Sequence, residues 1–359
     1  MSYERENIRR MSGYVPGEQP RADDVVKLNT NENPYSPTPA VLAALKETRS
    51  DQLRRYPPPT APQFRAAAAK VHGLKPANII ATNGGDELLR LAVTTFVEPG
   101  SAIGTAEPSY SLYPVLAAIQ DCPVVSVALD DNWLPPADTA ARMNEAGVRL
   151  CFVVNPHAPS GTLLTSEKLG DLAEALDGLL LIDEAYVDFV DPDLGHDTIG
   201  LVRNLDNVLI LRSMSKGYGL AGLRFGYGIG PAALIEPMMD KTRDSYNTDI
   251  LSQRLATAAL DDREAASTNW ERVRSERERL RGELMGLGLE VPASSANFLL
   301  ATACGGGKTA AAELCRALAE QNIYVRHFDQ DRLRDKLRIT VGTPTQNDAL
   351  VGALRILLA

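Results

Sequence analysis

The feature that most constrains the fold is a rhythm between about residues 61 and 240, where short continuous apolar runs alternate with stretches of helical periodicity. The runs are Ile79-Ile-Ala-Thr, Ala102-Ile-Gly-Thr, Val124-Val-Ser-Val, Leu150-Cys-Phe-Val-Val, Leu179-Leu-Leu-Ile and Val208-Leu-Ile-Leu. A strand covered on one face alternates apolar with polar residues, whereas one covered on both faces is apolar throughout. Helical stretches such as 62–72 and 86–96 lie between the runs and supply that cover. Repetition of strand and helix implies crossover units, and so an α/β fold with a mostly parallel central sheet flanked by helices.

The two ends of the chain read differently. Residues 1–40 are rich in Pro, Asn and Glu and lack periodicity, which predicts an extended arm. The arm ends in Leu28-Asn-Thr-Asn-Glu-Asn-Pro-Tyr-Ser-Pro, where the prolines oppose a helix. A short helix is expected over 39–49, and Tyr56-Pro-Pro-Pro is a stiff extended piece. After a long helical stretch, 250–286, come strand-like Asn297-Phe-Leu-Leu-Ala, a helix near 309–321, Tyr324-Val-Arg, Leu337-Arg-Ile-Thr-Val and a last helix at 345–358. At 359 residues a second core is expected, because single cores stop growing near ~250–300 residues. The chain therefore divides into an arm, 1–40, a large α/β domain, 41–250, and a small C-terminal α+β domain, 251–359.

Charge and cysteines narrow the function. A net charge of −9 argues against a nucleic-acid groove, which needs clustered Lys and Arg, but leaves room for a small anion held by a few local arginines. Cys122, Cys151, Cys304 and Cys315 are scattered, with no metal-ligand spacing, and read as reduced thiols in a cytoplasmic protein. The N-terminus lacks a signal-peptide core and no apolar run approaches a membrane span, so neither membrane nor metal is expected.

The chemistry concentrates where apolar runs end. Ser213-Met-Ser215-Lys216 follows one run, and Arg224 comes eight residues after the lysine. A lysine set among small hydroxyl and glycine residues can form a Schiff base with a carbonyl, while Ser213, Ser215 and Arg224 can hold a phosphate. Pyridoxal phosphate carries both groups on one aromatic ring. Asp183, in Leu181-Ile-Asp-Glu-Ala-Tyr186, would keep a ring nitrogen protonated and so strengthen the ring as an electron sink; taken alone it serves equally well as a helix cap. Asn155, in Val153-Val-Asn-Pro156, offers an amide to a phenolate oxygen, though Asn-Pro is also a common turn. Gly84-Gly85-Asp86 opens a helix whose backbone amides suit an anion. Tyr110 offers an aromatic face for stacking on a ring, although for a single tyrosine core packing is the commoner role. Ligands of open α/β sheets gather outside the carboxyl ends of strands, which is where these segments lie.

These residues, in order and context, resemble the fold-type I pyridoxal-phosphate aminotransferases (class I/II). Within them the chain is most similar to the histidinol-phosphate aminotransferases and their relatives acting on aromatic amino acids. The similarity runs from Tyr14-Val-Pro-Gly through Asn-Glu-Asn-Pro at 31–34 to Arg338-Ile-Thr-Val-Gly342. It implies that Lys216 carries the cofactor and shuttles the reacting proton. Asp183 would pair with the ring nitrogen, Asn155 and Tyr186 with the ring oxygen, and Tyr110 would stack on the ring. Gly85, Asp86, Ser213, Ser215 and Arg224 would hold the phosphate. Tyr56 would reach that phosphate from a neighbouring subunit, making a homodimer with shared active sites. Arg338 is implied as the substrate-anion arginine, Arg326 as a second arginine for a substrate phosphate, and Tyr14 as a residue closing the pocket from the other subunit. The implied partners are a small-molecule amino donor, L-histidinol phosphate, and a 2-oxo acid acceptor, 2-oxoglutarate. The alternatives are an aromatic amino acid aminotransferase of the same fold and an L-threonine-O-3-phosphate decarboxylase.

One stretch departs from the resembled pattern. Residues 155–161 read Asn-Pro-His-Ala-Pro-Ser-Gly where the family has Asn-Pro-Asn-Asn-Pro-Thr-Gly. Asn155 is expected to keep the ring contact there, and His157 is not expected to act as a base because Lys216 already does. Three patterns read as decoys. Gly217-Tyr-Gly219-Leu-Ala-Gly222 leaves no room for the crossover helix of a dinucleotide site. Gly305-Gly-Gly-Lys308-Thr309 lacks the first glycine of a nucleotide loop, and the charged run Glu271-Arg-Val-Arg-Ser-Glu-Arg-Glu-Arg reads as a solvated helix face.

Overall fold

A computed structural model describes residues 2–20, 25–303 and 310–358; Cys304 and the Gly305–Thr309 stretch lie outside the described residues. The strands in chain order are β1 (Val26–Lys27), β2 (Ile79–Thr82), β3 (Ala102–Glu107), β4 (Val124–Ala128), β5 (Val148–Val154), β6 (Leu179–Asp183), β7 (Val208–Ser213) and β8 (Gly226–Ile229). Further on come β9 (Phe298–Thr302), β10 (Ile323–Tyr324), β11 (Arg326–His327) and β12 (Lys336–Thr340). Seven of them form one sheet in the order β2-β8-β7-β6-β5-β3-β4. Strand β8 runs antiparallel to both of its neighbours, so the other six all point the same way.

Two apolar layers cover this sheet, and the pleat decides which residue joins which layer. Leu180 and Ile182 of β6 join one cluster with Val153, Val208 and Ile210. Leu181 joins the other, with Val154, Leu209 and Leu211, against the helices Gly85–Phe96 and Leu112–Gln120. A third cluster, built from Leu280, Leu299, Leu314, Ile339 and Leu354, is the core of a smaller lobe around the antiparallel sheet β11-β12-β9. Among the described residues no helix is long and apolar enough to cross a membrane.

Several expectations need correcting. Residues 1–40 are not one extended arm. A short helix, Glu6–Arg10, docks on the helix Leu112–Gln120, with Asn7 Nδ2 donating to the Ala118 carbonyl at 2.9 Å. At the other end of the segment β1 pairs in parallel with β10, and Leu28 is buried in the small-lobe core. Residues 26–28 thus belong to the small lobe by packing, although they precede the large domain in sequence. The stretch 250–286 is two helices, Ile250–Asp261 and Arg263–Gly286, broken at Asp262, whose carboxylate faces the amide of Ala40 at 3.4 Å. The charged run within the second helix is not wholly solvated. Arg277 is buried and donates to the carbonyls of Phe189 (3.1 Å) and Ala296 (3.0 Å), tying the helix to both lobes. The glycines at 217–222 lead into a single 3-10 turn, Ala221–Leu223, and then directly into β8.

Candidate active site

A cavity of about 470 Å³ opens where the parallel strands end and the small lobe faces them. It is lined by Val154 from β5, Asp183 from β6, and Ser213, Ser215 and Lys216 from β7 and the turn after it. Because β8 runs backwards, its entry residue Arg224 stands at the same edge. Gly85 and Asp86 come from the start of their helix, Tyr110 and Tyr186 from loops, and Arg326 and Arg338 from the small-lobe sheet. Of the residues singled out from sequence, Asn155 and Tyr56 do not line it.

Lys216 Nζ donates to the carbonyl of Thr30 at 2.9 Å, an anchor supplied by the segment that leads from β1 into the site. Burial, reinforced by Arg338 and Arg224 and opposed by Glu32, brings the Lys216 amine down to about 8. Asp183 is only 5% exposed. One carboxylate oxygen accepts from the Tyr113 hydroxyl at 2.9 Å and the other from the amide of Ala185 at 3.2 Å. Burial pushes this carboxyl up to about 6 despite both hydrogen bonds. A buried acid with too few donors, beside a cavity, is a place for a cation. Tyr113, which fixes that acid, went unnoticed in the sequence. It stacks on Phe152 with ring centroids 4.6 Å apart, so it reads as core packing until the fold brings its hydroxyl to Asp183.

One end of the cavity is built from backbone that suits an anion. The first amides of the helix Gly85–Phe96 have no intrahelical acceptor and carry the positive end of its dipole. Gly84 adopts a φ of +76°, and a Cβ there would lie 2.8 Å from the Arg224 guanidinium. Glycine is therefore what lets Arg224 close over the turn. Arg224 itself sits in the left-handed region (φ 54°) and pairs with the Asp86 carboxylate at 3.6 Å. Ser215 N donates to Ser213 Oγ at 3.1 Å, curling this turn around the same spot.

The opposite end is cationic. In the antiparallel register of β11 and β12, Arg326 lies directly across from Arg338. Like charges in that position repel. The ionisable neighbours that weigh most on Arg338 are Tyr186, Arg326 and Tyr14, none of them a carboxylate, and burial pulls its pKa below the ordinary value. Its Nε is buried without a partner, while Nη2 donates to the carbonyl of Asn29 at 2.9 Å. Arg326 and Arg338 both lie over the ring of Phe328, at 5.2 and 5.4 Å. An orphaned buried donor between two facing arginines calls for an anion with more than one oxygen.

Two placements, those of Asn155 and Tyr14, differ from expectation, while His157 and Tyr56 sit where their expected roles allow. Asn155 is turned away from the cavity: it continues the β5 pleat, so with Val154 facing the cavity its own side chain faces the other side. Its amide is spent on Leu164, donating to the carbonyl at 3.0 Å and accepting from the N–H at 2.8 Å. Ala158 and Pro159 take the place on the cavity wall. His157 is buried between Ser160 Oγ (2.7 Å) and the Pro108 carbonyl (2.9 Å) and stacks on Trp133; burial pulls it down to about 4, so it stays neutral. Tyr14 lines the cavity of its own chain, its ring 5.8 Å from that of Tyr110. Tyr56 is 80% exposed and stacks on Tyr246 at 4.4 Å, on the outer surface.

The dimensions and donor set fit pyridoxal phosphate: an amine of lowered pKa, a buried acid wanting a cation, an amide-lined helix start closed by an arginine, and an aromatic wall at Tyr110. A sequence model of the family described as aminotransferase class I and II matches residues 23–354. Histidinol-phosphate aminotransferase 1 of Trichormus variabilis is 41% identical over 358 residues, covering 99% of this chain and 99% of that protein. Histidinol-phosphate aminotransferase of Synechocystis sp. is 41% identical over 350 residues, covering 98% and 97%. The crystal structure of histidinol-phosphate aminotransferase from Sinorhizobium meliloti in complex with pyridoxal-5'-phosphate superposes with a TM-score of 0.89. Its sequence is 26% identical, and the match covers 100% of this chain and 98% of that one.

Proposed function

We propose, from the premise that this chain belongs to the class I and II aminotransferase family, that it moves the amino group of L-histidinol phosphate to 2-oxoglutarate in histidine biosynthesis. It is a pyridoxal-phosphate-dependent aminotransferase. The observation that carries the substrate is the facing pair Arg326 and Arg338 with its orphaned buried Nε. A phosphate monoester with close to two negative charges satisfies both arginines, whereas an ordinary amino acid needs only one. The acceptor 2-oxoglutarate has two carboxylates and can use the same pair.

Bound pyridoxal phosphate supplies an aldehyde for the Schiff base and an electron-withdrawing ring that takes up the electron pair released at the substrate α-carbon. The protein's part is positioning and proton transfer. Lys216, with a pKa of about 8, has an appreciable neutral fraction near pH 7.5 and can take the α-proton at Nζ. Asp183 keeps the ring nitrogen protonated, and Tyr113 holds Asp183 in place. Tyr110 covers the ring, while the amides of Gly85 and Asp86 with Ser213, Ser215 and Arg224 receive the phosphate. Tyr14 and Val15 close the mouth and limit water. Exposed Tyr56, Tyr246, Leu42, Leu45 and Leu53 support a second copy docking on this side, giving a homodimer in which Tyr56 serves the partner's phosphate site; the enzyme works in the cytoplasm. The apolar side of the cavity, Phe328, Leu333 and Val15, suits a phenyl as well as an imidazole ring, so transamination of aromatic amino acids is the second reading.

Single-turnover absorbance of the cofactor-loaded protein tests this with L-histidinol phosphate, phenylalanine and phosphothreonine. Fast loss of the Schiff-base band with histidinol phosphate and slow loss with phenylalanine is the expected result. A preference for phenylalanine moves the substrate, and carbon dioxide release from phosphothreonine overturns the reaction class.

A further inference from the structure

The ring-oxygen side of the site has one amide fewer than the sequence suggested. Asn155 faces away, and the wall position nearest in the chain is Ala158, which has no donor. Tyr186 is then the side chain left to donate to a ring oxygen, and the direction of its hydroxyl hydrogen becomes decisive. A buried chain of three residues fixes it. Thr340 Oγ1 accepts from the backbone N–H of Asn31 and donates to Asn31 Oδ1, both at 3.0 Å. Asn31 Nδ2 in turn donates to Tyr186 Oη at 3.0 Å.

The amide could in principle be turned over, with Tyr186 donating to Oδ1. That orientation would leave the Thr340 hydroxyl hydrogen without an acceptor at a position 2% exposed, which costs more than leaving a hydrogen aimed into the cavity. Thr340 thus sets Asn31, and Asn31 occupies the acceptor side of Tyr186 Oη. Among the described residues no acceptor takes the tyrosine's own hydrogen. Asn31 is itself 1% exposed and sits at φ 58°, a left-handed conformation that Asn tolerates better than most residues. Its main-chain carbonyl is also held, by Asn297 Nδ2 at 3.0 Å.

We infer that Asn31 is a positioning residue for the cofactor. By donating to Tyr186 it commits that hydroxyl to donate to the ring oxygen, doing indirectly what an asparagine at 158 would do by contact. The inference rests on the pyridoxal-phosphate reading above. The ionisable groups that weigh on the tyrosine hydroxyl include Arg338, Asp183, Tyr14, Tyr110 and Tyr113, and none of them changes in the variants that test the idea.

A double-mutant cycle on the cofactor-loaded protein reads the effect without any turnover. The observable is the pH midpoint between the protonated and unprotonated Schiff-base absorbance bands. Asn31→Asp accepts the tyrosine hydrogen instead of donating to it, so the ring oxygen loses its donor. The midpoint should rise by about one pH unit, the size of one hydrogen bond to a charged group. In a Tyr186→Phe background the same substitution should shift it by less than half as much. Asn31→Gly, which keeps the left-handed backbone, runs the same cycle without adding charge. Its shift should be smaller than that of Asn31→Asp and absent in the Phe background. Shifts equal in the two backgrounds, or absent from both, overturn the inference. A wild-type protein with no Schiff-base band, or one whose band survives Lys216→Ala, overturns the cofactor reading instead.

Discussion

Asp183→Asn separates what the site costs from what it does. The cofactor-free protein holds this carboxyl at about 6 against an ordinary value of 3.8, and burial is the cause. The sign follows directly. Below pH 3.8 the acid is protonated in both folded and unfolded chains and carries no penalty. Between 3.8 and 6 the folded state keeps a proton that the unfolded state has released, so folding stability falls as pH rises. Above 6 the full penalty is present, about two units or ~3 kcal/mol. Asparagine removes the charge and can still accept from the Tyr113 hydroxyl, 2.9 Å from the carboxylate, but its NH2 then faces the Ala185 amide, which loses its acceptor. The cofactor-free Asn variant should therefore be more stable than wild type by about 2 kcal/mol at pH 8, the ~3 kcal/mol of relieved charge less about 1 kcal/mol for the unmatched Ala185 amide, and that advantage should disappear between pH 6 and 4. Denaturant unfolding of both apoproteins at a series of pH values measures this. The same substitution removes the partner of the ring-nitrogen cation, so the cofactor dissociation constant should weaken by about 100-fold, the equivalent of the same ~3 kcal/mol. An Asn variant no more stable than wild type at pH 8, with an unchanged pH slope, would refute the claim that a buried carboxylate without a counter-ion waits there for a cation.

Arg326→Ala should slow the donor half-reaction with histidinol phosphate by about 10- to 100-fold while changing that with phenylalanine little, because among the donors only the phosphate loses a charged hydrogen-bond partner; single-turnover kinetics with both donors decide it, and equal losses would remove the case for a phosphate grip. Lys216→Ala should abolish multiple turnover and the Schiff-base band while circular dichroism stays native; turnover near the wild-type rate sinks the assignment of the lysine. Ala158→Asn should lower the pH midpoint of the Schiff-base band by as much as about one unit, since it places a second donor on the ring-oxygen side. Asn155→Ala should instead leave that midpoint alone and cost about 1–3 kcal/mol in thermal or denaturant unfolding, through the unpaired Leu164 amide and carbonyl; the reverse pattern in these two variants would return the ring contact to Asn155.

The large sheet was legible because its strands are buried on both faces: Leu179-Leu-Leu-Ile must be covered all round, and its shortness together with the helical stretches on either side marks it as a strand. Lys216, Asp183 and Arg224 were legible because each follows such a run, and the carboxyl edge of a parallel sheet gathers whatever follows its strands. The small lobe was harder. Strands β10 and β11 are two residues each, too short for any periodicity, and β1 pairs with a segment some 300 residues away. Tyr113, Asn31 and Arg277 carry no local mark. A tyrosine in an apolar helix, an asparagine in a proline-rich segment and an arginine in a charged run each have an ordinary explanation. Their roles exist only through partners at Asp183, Tyr186 and Phe189, which chain folding brings near.

The segment 155–161 shows how a motif can match and still mislead. Asn155-Pro156 and Ala158-Pro159 repeat the same small-residue–proline unit three positions apart, so a resemblance anchored on the first asparagine places the ring contact there. The pleat decides otherwise. Asn155 N still donates to the Asp183 carbonyl at 2.8 Å, so residue 155 is the last rung of the β5–β6 ladder and must alternate with Val154. Only past it does the chain turn back, with Gly161 N bonded to the His157 carbonyl and His157 N to the Thr162 carbonyl, and this turn carries Ala158 under the ring site. Asn155 then serves the turn itself, bracketing Leu164 with both ends of its amide. The residue that a one-dimensional match would protect for chemistry is retained for geometry. The cavity-wall position three residues later is an alanine with no donor to offer, and the Tyr186 hydroxyl on the same wall accepts a hydrogen bond from Asn31.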